Sequence, residues 1–294
     1  MKRVLVGIIV LAFATSAFAQ KVSGQFKTNK AAIKPKTVVA IPVRSPKDPL
    51  KYVTALILAE GTMDVNEAFE NVDPRTALIN QEGMQDKNYI TFWIYPDGYV
   101  TMNATFSEGM TQYIDSTKGA AGGMTAESLE ALFTQNTPMQ IAGRIHTTKP
   151  VKSMTGETYE LDVNFDTPIS MPPAGEKLAE GGGQPGEAFT AFLAAVKSKN
   201  WNQLQSTASA RVLESAYAET PAEKAASVVD SVSFLLPKGK TMKILGGMQF
   251  ADKATLEVKG QMSEEAGSDA LYLVRMLKEQ GGWRFDSCYM GGLL

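Results

Sequence analysis

The sequence predicts two domains, an antiparallel all-β sandwich or barrel over residues 20–169 and an α+β domain over residues 186–294. Three observations lead to this prediction. Apolar and polar residues alternate repeatedly between residues 22 and 168, a helical period follows residue 186, and residues 170–185 are rich in Pro and Gly. Because such a composition cannot bury enough surface to offset chain entropy, we expect residues 170–185 to form a flexible linker.

Residues 1–19 have the parts of a secretory signal peptide. Lys2 and Arg3 give a positive start, an apolar run extends from Val4 to Ala14, and Ala17-Phe18-Ala19 provides a small-residue cleavage site. The run is short for a bilayer span, and no later stretch of about 18 apolar residues follows to act as an anchor. We therefore expect a periplasmic or secreted protein, cleaved near Ala19 and without a membrane span.

The β-rich part contains about seven predicted strands. In ETYELDVNF, Tyr159, Leu161 and Val163 point one way and the intervening polar residues the other, which is the period of a half-buried strand. Pro96-Asp97-Gly98 has the turn chemistry of a hairpin between YITFWIY and YVTMNATF. The segment AESLEALFTQ, residues 126–135, is predicted as one short helix.

The C-terminal part begins with a helical stripe that contains Phe189 and Phe192, and a second helix is predicted from about Asn202 to Tyr217. Thr220-Pro221-Ala222-Glu223 opens the third helix, because it combines a capping box with proline at the first helical position. The period then changes to two, which predicts four strands. The first of these strands would place four residues on one face: Met242, Ile244, Met248 and Phe250.

Three helices followed by four strands, with the junction "KSKNWNQL" and the hairpin "EQGGWRFD", resemble the nuclear transport factor two-like superfamily, also called the cystatin-like α+β fold. The resemblance covers roughly residues 184–294. It implies three helices packed on a curved four-stranded antiparallel sheet around a cone-shaped apolar cavity. Some members of the superfamily are isomerases, dehydratases or cyclases of the ketosteroid isomerase and polyketide cyclase type, whereas others only bind ligands or dimerise.

The β-rich part is similar to the N-terminal domain of uncharacterised secreted bacterial proteins. The similarity lies in "VSGQFKTN", "YPDGYV" and "IAGRIHTTKP". It supports the architecture and the compartment and implies no activity.

The distribution of charge along the chain leaves two interpretations of the first strands. The net charge of -2 gives no indication of nucleic-acid binding. Residues 20–47 carry seven basic side chains and no acid, whereas residues 48–185 carry eight basic and nineteen acidic ones. The basic strands either lie beside acidic strands of one sheet or form a face for an anionic partner. In the second case the protein would be an envelope assembly or interaction factor. The seven are Lys21, Lys27, Lys30, Lys34, Lys36, Arg44 and Lys47.

Catalysis in the C-terminal cone would require a carboxylate and a tyrosine, by the resemblance to the isomerases. The alternative acid/base residues are Asp230 and Asp286, with Glu257 as a further carboxylate. Tyr272 or Tyr289 would be the hydroxyl donor. His146 is the only histidine and lies in the other predicted domain. A histidine-dependent mechanism in the cone is therefore excluded unless the domains close on each other.

No metal or cofactor is expected. Asp162, Asn164 and Asp166 imitate the start of a calcium loop, but Thr167 stands where that loop needs glycine.

Cys288, the only cysteine, has no nearby histidine in sequence and is predicted to be a small buried apolar residue.

Apolar residues of the C-terminal part are the candidates for a ligand pocket, and the simpler alternative is that they fill the core. The sequence favours an exported, non-catalytic binding or interaction protein whose partner is a small apolar molecule or an envelope protein. A lyase or isomerase is the alternative, and the open sheet face would also suit a homodimer. The pocket candidates are Phe189, Met242, Met248, Tyr272, Trp283 and Phe285.

Overall fold

A computed structural model describes residues 20–107, 111–118, 127–153, 156–262 and 268–294. The predicted signal peptide lies outside these ranges. Within them the fold is mostly β, with three antiparallel sheets and six α-helices. None of these helices combines the length and the apolar character needed to cross a membrane.

The first part of the chain forms two sheets that share one hydrophobic core. Its strands are β1 (Lys21–Thr28), β2 (Ala32–Ile33), β3 (Thr37–Arg44), β4 (Tyr52–Ala59), β5 (Tyr89–Ile94), β6 (Val100–Phe106), β7 (Thr111–Ser116), β8 (Leu129–Asn136), β9 (Gln140–Thr147), β10 (Val151–Lys152) and β11 (Thr158–Pro168). One sheet has the order β2-β1-β11-β9-β8 with β10 beside β11, and the other has the order β3-β4-β5-β6-β7. The described part therefore holds more strands than the seven predicted.

Aromatic side chains fill the space between the two sheets. Phe26 on β1 is fully buried, and its ring lies 5.4 Å from that of Tyr159 in its own sheet. It also lies 5.3 Å from the ring of Tyr113 in the facing sheet. The predicted turn closes the β5–β6 hairpin, where Gly98 takes a φ of 83° that a residue with a Cβ rarely adopts.

Two short helices cover the outer face of the second sheet, α1 (Val65–Phe69) and α2 (Pro74–Ile79), followed by a 3₁₀ turn at Glu82–Met84. Both helices begin at an aspartate, because Asp64 accepts from the backbone N–H of Asn66 at 2.9 Å and Asp73 from that of Thr76 at 3.2 Å. Their buried residues pack on β3 and β4. Packing of the helices on this face explains why residues 37–43, TVVAIPV, are apolar on both faces. The sequence did not predict the two helices.

The prediction of a helix at AESLEALFTQ is wrong. Residues 129–136 form β8, which pairs with β9. Leu129 is buried, and Ala131 and Phe133 pack against the core of the two sheets. Glu, Ala and Leu favour helices, but the alternation in this segment matches a strand equally well, and pairing with a neighbouring strand outweighs the weak local preference.

The second part of the chain places helices on one face of the third sheet. The helices are α3 (Gly183–Ser198), α4 (Trp201–Thr207), α5 (Ala210–Glu214) and α6 (Pro221–Ser233), and the strands, in sheet order, are β12 (Glu176–Leu178), β13 (Lys238–Phe250), β14 (Lys253–Gln261), β15 (Asp269–Glu279) and β16 (Gly282–Leu293). The capping box at Thr220 and Glu223 is confirmed. The predicted second helix is split, because Ser209 donates its backbone N–H to the Phe285 carbonyl at 2.8 Å.

The Pro/Gly-rich segment differs from the expected flexible linker. Residues 176–178 form β12, which pairs with Met248 and its neighbours on β13, so the sheet has five strands and not the four predicted. Gly181 donates its N–H to the Ile244 carbonyl at 3.1 Å, and α3 starts at Gly183. The segment is thus attached to the sheet along much of its length.

Candidate functional site

A cleft of about 570 Å³ lies between the first part of the chain and the face of the third sheet that the helices leave uncovered. This volume is within the usual range for small-molecule sites. Most of its wall is apolar, and both parts of the chain contribute to it. The apolar lining includes Val43, Phe69, Trp93, Met248, Phe250 and Leu273.

Side chains along β14 and β15 alternate between the two faces of the third sheet, so every second one points to the face without helices. Leu256 and Val274 point to the helices and belong to their core, whereas Thr255, Glu257 and Leu273 point to the opposite side. Leu273 is only 7% exposed. The third sheet is therefore covered on both faces, by helices on one side and by the first part of the chain on the other.

An ion pair joins the two parts at the cleft. Arg44 on β3 binds Glu257 on β14, and its guanidinium also donates to the Pro49 carbonyl at 3.3 Å. The same guanidinium lies 4.1 Å from the ring centroid of Tyr52. The Arg44 side chain is 13% exposed, so this pair is largely shielded from solvent and salt.

A second group of charges connects the parts beside the cleft. Glu70, directly after α1, binds Lys253 and lies 3.8 Å from Arg275 on β15. Arg275 in turn lies 3.8 Å from the carboxylate of Asp286. Burial lowers the pKa of Arg275, against the opposing effect of Asp286.

Polar groups of α2 and β16 line one side of the cleft. The guanidinium of Arg75 lies 5.6 Å from the ring centroid of Trp93 and donates to the Thr76 hydroxyl at 3.2 Å. Burial, with a further contribution from the Asp73 carboxylate, raises the pKa of Tyr289. That phenol is therefore neutral at physiological pH and able to donate a hydrogen bond.

The structure does not bring the six predicted pocket residues together. Phe285 and Phe189 are fully buried on the helix side, with Phe285 stacked on Phe192 at 4.1 Å between ring centroids. Tyr272 and Trp283 are buried in the same core, and Met242 packs against it. These five side chains pack against core neighbours, as the simpler alternative expected.

Met248 is the exception, because it lines the cleft on the other side of the sheet. The cause is a bulge in β13, where Ile244 pairs with Val258 but Gly246 pairs with Glu257. The extra residue, Leu245, inverts the alternation that follows it. Met248 and Phe250 therefore face away from Met242, contrary to the predicted single face.

Glu257 is paired with Arg44, and the other two acid/base candidates have different surroundings. Asp230 is exposed on α6. Asp286 is 6% exposed at a bulge in β16, where it accepts from the Ser209 hydroxyl at 3.0 Å and from Nε of Arg211 at 2.9 Å. The hydroxyl of Tyr272 donates to the Gln261 carbonyl at 3.2 Å. These contacts describe a structural ion pair, and not a carboxylate poised beside a tyrosine.

Several charged side chains of the first sheet form ion pairs with each other. Nζ of Lys27 lies 2.9 Å from Glu160, Lys30 binds Glu157, and Nε2 of His146 lies 3.2 Å from Glu130. These contacts favour the interpretation in which basic strands lie beside acidic ones.

Within the described ranges, no three His, Cys, Asp or Glu side chains are grouped so that they could hold a metal ion.

Cys288 is expected to be inert in the folded protein. Burial raises the pKa of its thiol to about 12, so at pH 8 the nucleophilic thiolate is essentially absent. Iodoacetamide at pH 8 should leave the native chain unmodified and alkylate it once after unfolding in guanidinium chloride, as followed by intact-mass spectrometry. The double variant Cys288→Ala, Ser206→Cys, with its cysteine on the exposed surface of α4, is the control and should react while folded. Equal rates for the two native proteins would contradict the prediction.

The cleft combines an apolar wall with a few fixed polar groups, an arrangement that suits binding a small molecule. Arg44, Glu257, Asp73 and Tyr289 are engaged in contacts within the chain, whereas Arg75 keeps donors available. Comparisons of the chain with protein-family models, curated proteins and solved structures found no match. The cleft is therefore the feature of the molecule that points to a function.

Proposed function

We propose that this protein is an exported binding protein, without catalytic activity, that holds a small apolar molecule between its two parts. The observation that supports this proposal is the apolar cleft, which two separate regions of the chain build together. A fully packed contact would stabilise the interface better than an open one. A space of this size therefore suggests a ligand that completes the contact.

The charged residues of the cleft support binding in preference to catalysis. A general base needs a carboxylate or histidine free to reach the substrate. Glu257 is paired with Arg44, and Asp73 caps α2 through the N–H and the hydroxyl of Thr76. The residues that line the cleft include no histidine or cysteine.

We further propose that the two parts are domains and that the second one has the nuclear transport factor two-like arrangement. Helices precede four long antiparallel strands and pack on one face of their sheet, which supports this assignment. The fifth strand, β12, departs from the four-stranded pattern that the resemblance implies. The signal-peptide pattern of residues 1–19 supports export to the periplasm or beyond.

Filling the cleft tests this proposal. Thr255 lines the cleft from β14, and tryptophan is well accepted in strands, so Thr255→Trp should occupy ligand space without breaking the sheet. The neutral dye Nile red should bind wild type at one saturable site and bind the variant about ten-fold more weakly or not at all. Fluorescence titration measures both affinities.

Lys259→Trp is the matched control. Lys259 lies on the same strand and on the same face, but outside the cleft lining. This variant should bind the dye as wild type does. Absence of saturable binding to wild type, or equal affinities for the Thr255 and Lys259 variants, would refute the cleft as the binding site.

A further inference from the structure

The charges that line the cleft are unequally matched. Arg44 is paired with Glu257. Asp73 accepts from the backbone N–H of Thr76 at 3.2 Å and from its hydroxyl, and it also interacts with the phenol of Tyr289. Arg75 forms no ion pair with any residue in the described ranges, although it lines the same space. Asp73 also forms no ion pair in the described ranges, but hydrogen bonds satisfy its carboxylate, whereas most donors of Arg75 have no acceptor there.

Arg75 is held in place while most of its donors remain available. A guanidinium has five N–H donors, and the contact to the Thr76 hydroxyl at 3.2 Å uses one. The Trp93 ring, 5.6 Å away, supports the guanidinium through a cation–π interaction and limits its freedom. A planar donor group restrained in this way suits two parallel hydrogen bonds to a carboxylate.

We propose that the ligand of the cleft is an amphiphile with a single carboxylate and an apolar body, a fatty-acid type of molecule. This inference rests on the proposed function and specifies its ligand. The carboxylate would bind Arg75, and the apolar body would extend along Met248, Phe250 and Leu273. A doubly charged phosphate head fits less well, since Asp73 lies in the same lining and repels a dianion more strongly than a single carboxylate.

Three probes with the same ten-carbon body and different heads test the proposal: decanoate, 1-decanol and decyltrimethylammonium. Isothermal titration calorimetry of the full chain at pH 8 and low salt should show decanoate binding about ten-fold more tightly than decanol, and the cation most weakly. In Arg75→Gln the preference for decanoate should disappear while the affinity for decanol stays the same. Because the two probes are compared within each protein, a general loss of binding cannot imitate this result.

The control is Lys197→Gln, which removes the same charge from an exposed position on α3, a helix of the opposite side of the sheet. It should keep the wild-type preference, which excludes an effect of net charge alone. Equal binding of decanoate and decanol to wild type, or an undiminished preference in Arg75→Gln, would overturn the carboxylate inference and leave the cleft as a binding site. Failure of all three probes to bind would overturn both proposals.

Discussion

Phe285→Ala is expected to lower the free energy of unfolding by about 3–5 kcal/mol, the usual range for removing a buried phenylalanine. Phe285 is fully buried and lies between Phe192, 4.1 Å away by ring centroids, and Phe189, 6.1 Å away. Its truncation removes a large apolar side chain and leaves a cavity that rigid neighbours cannot close. Denaturation in guanidinium chloride, followed by circular dichroism, measures the change.

Phe234→Ala is the control for this prediction. Phe234 ends α6 and is 72% exposed, so its loss should cost less than about 0.5 kcal/mol. Phe285→Leu should fall between the two variants and remains informative if the alanine variant does not fold. Similar costs for Phe285→Ala and Phe234→Ala would mean that Phe285 faces open space, as a residue lining a cone-shaped pocket would.

Asp286→Ala should destabilise the protein by about 3 kcal/mol, because it leaves buried donors without their acceptor. The Ser209 hydroxyl and Nε of Arg211 would lose their partner, and Arg275 would lose its buried counter-charge. This loss is at the low end for a broken buried pair, because the Arg211 side chain is 64% exposed. Thermal and chemical denaturation provide the measurement.

Asp230→Ala provides the comparison, since Asp230 is exposed on α6 and should tolerate the change within about 0.5 kcal/mol. A catalytic carboxylate commonly shows the opposite behaviour, because active sites hold charges at some cost in stability. If Asp286→Ala were as stable as wild type, the structural interpretation would fail and the isomerase-like alternative would gain support.

The sequence predicted those elements that are determined by neighbouring residues. The capping box at Thr220 and Glu223 and the Pro96-Asp97-Gly98 hairpin depend on interactions within a few positions, so their signals can be read directly. The hairpin at Gly281 also follows the prediction, with Gln280 and Gly281 both at positive φ between paired Glu279 and Gly282.

Elements that depend on distant partners could not be predicted in the same way. The segment that forms β8 has residues that favour helices, and only its pairing with β9 makes it a strand. Glu176–Leu178 has a linker composition, yet β13 holds it as an edge strand. In both cases the missing information was the neighbouring strand.

Met248, Glu257 and Tyr289 were each named from the sequence, but their assembly into one cleft could not be predicted, for a related reason. The bulge at Leu245 moves Met248 to the opposite face, and a single extra residue of this kind leaves no signal in the apolar period. Arg44 and Glu257 meet across 213 residues of sequence. Two signals can be read from the sequence. Residues 269–279, DALYLVRMLKE, are apolar on both faces, which favours a covered second face, and Gly246-Gly247 inside a strand favours a bulge.

Because the third sheet is covered on both faces, the second part of the chain is expected to need the first part when it is produced. A fragment that began at β12 would expose Leu273, Met248 and Phe250 on one face of the sheet, and exposed apolar faces promote aggregation. We therefore expect the first part of the chain to protect the second part from aggregation by covering this face. Any protease that separated the halves would leave a C-terminal product prone to precipitate.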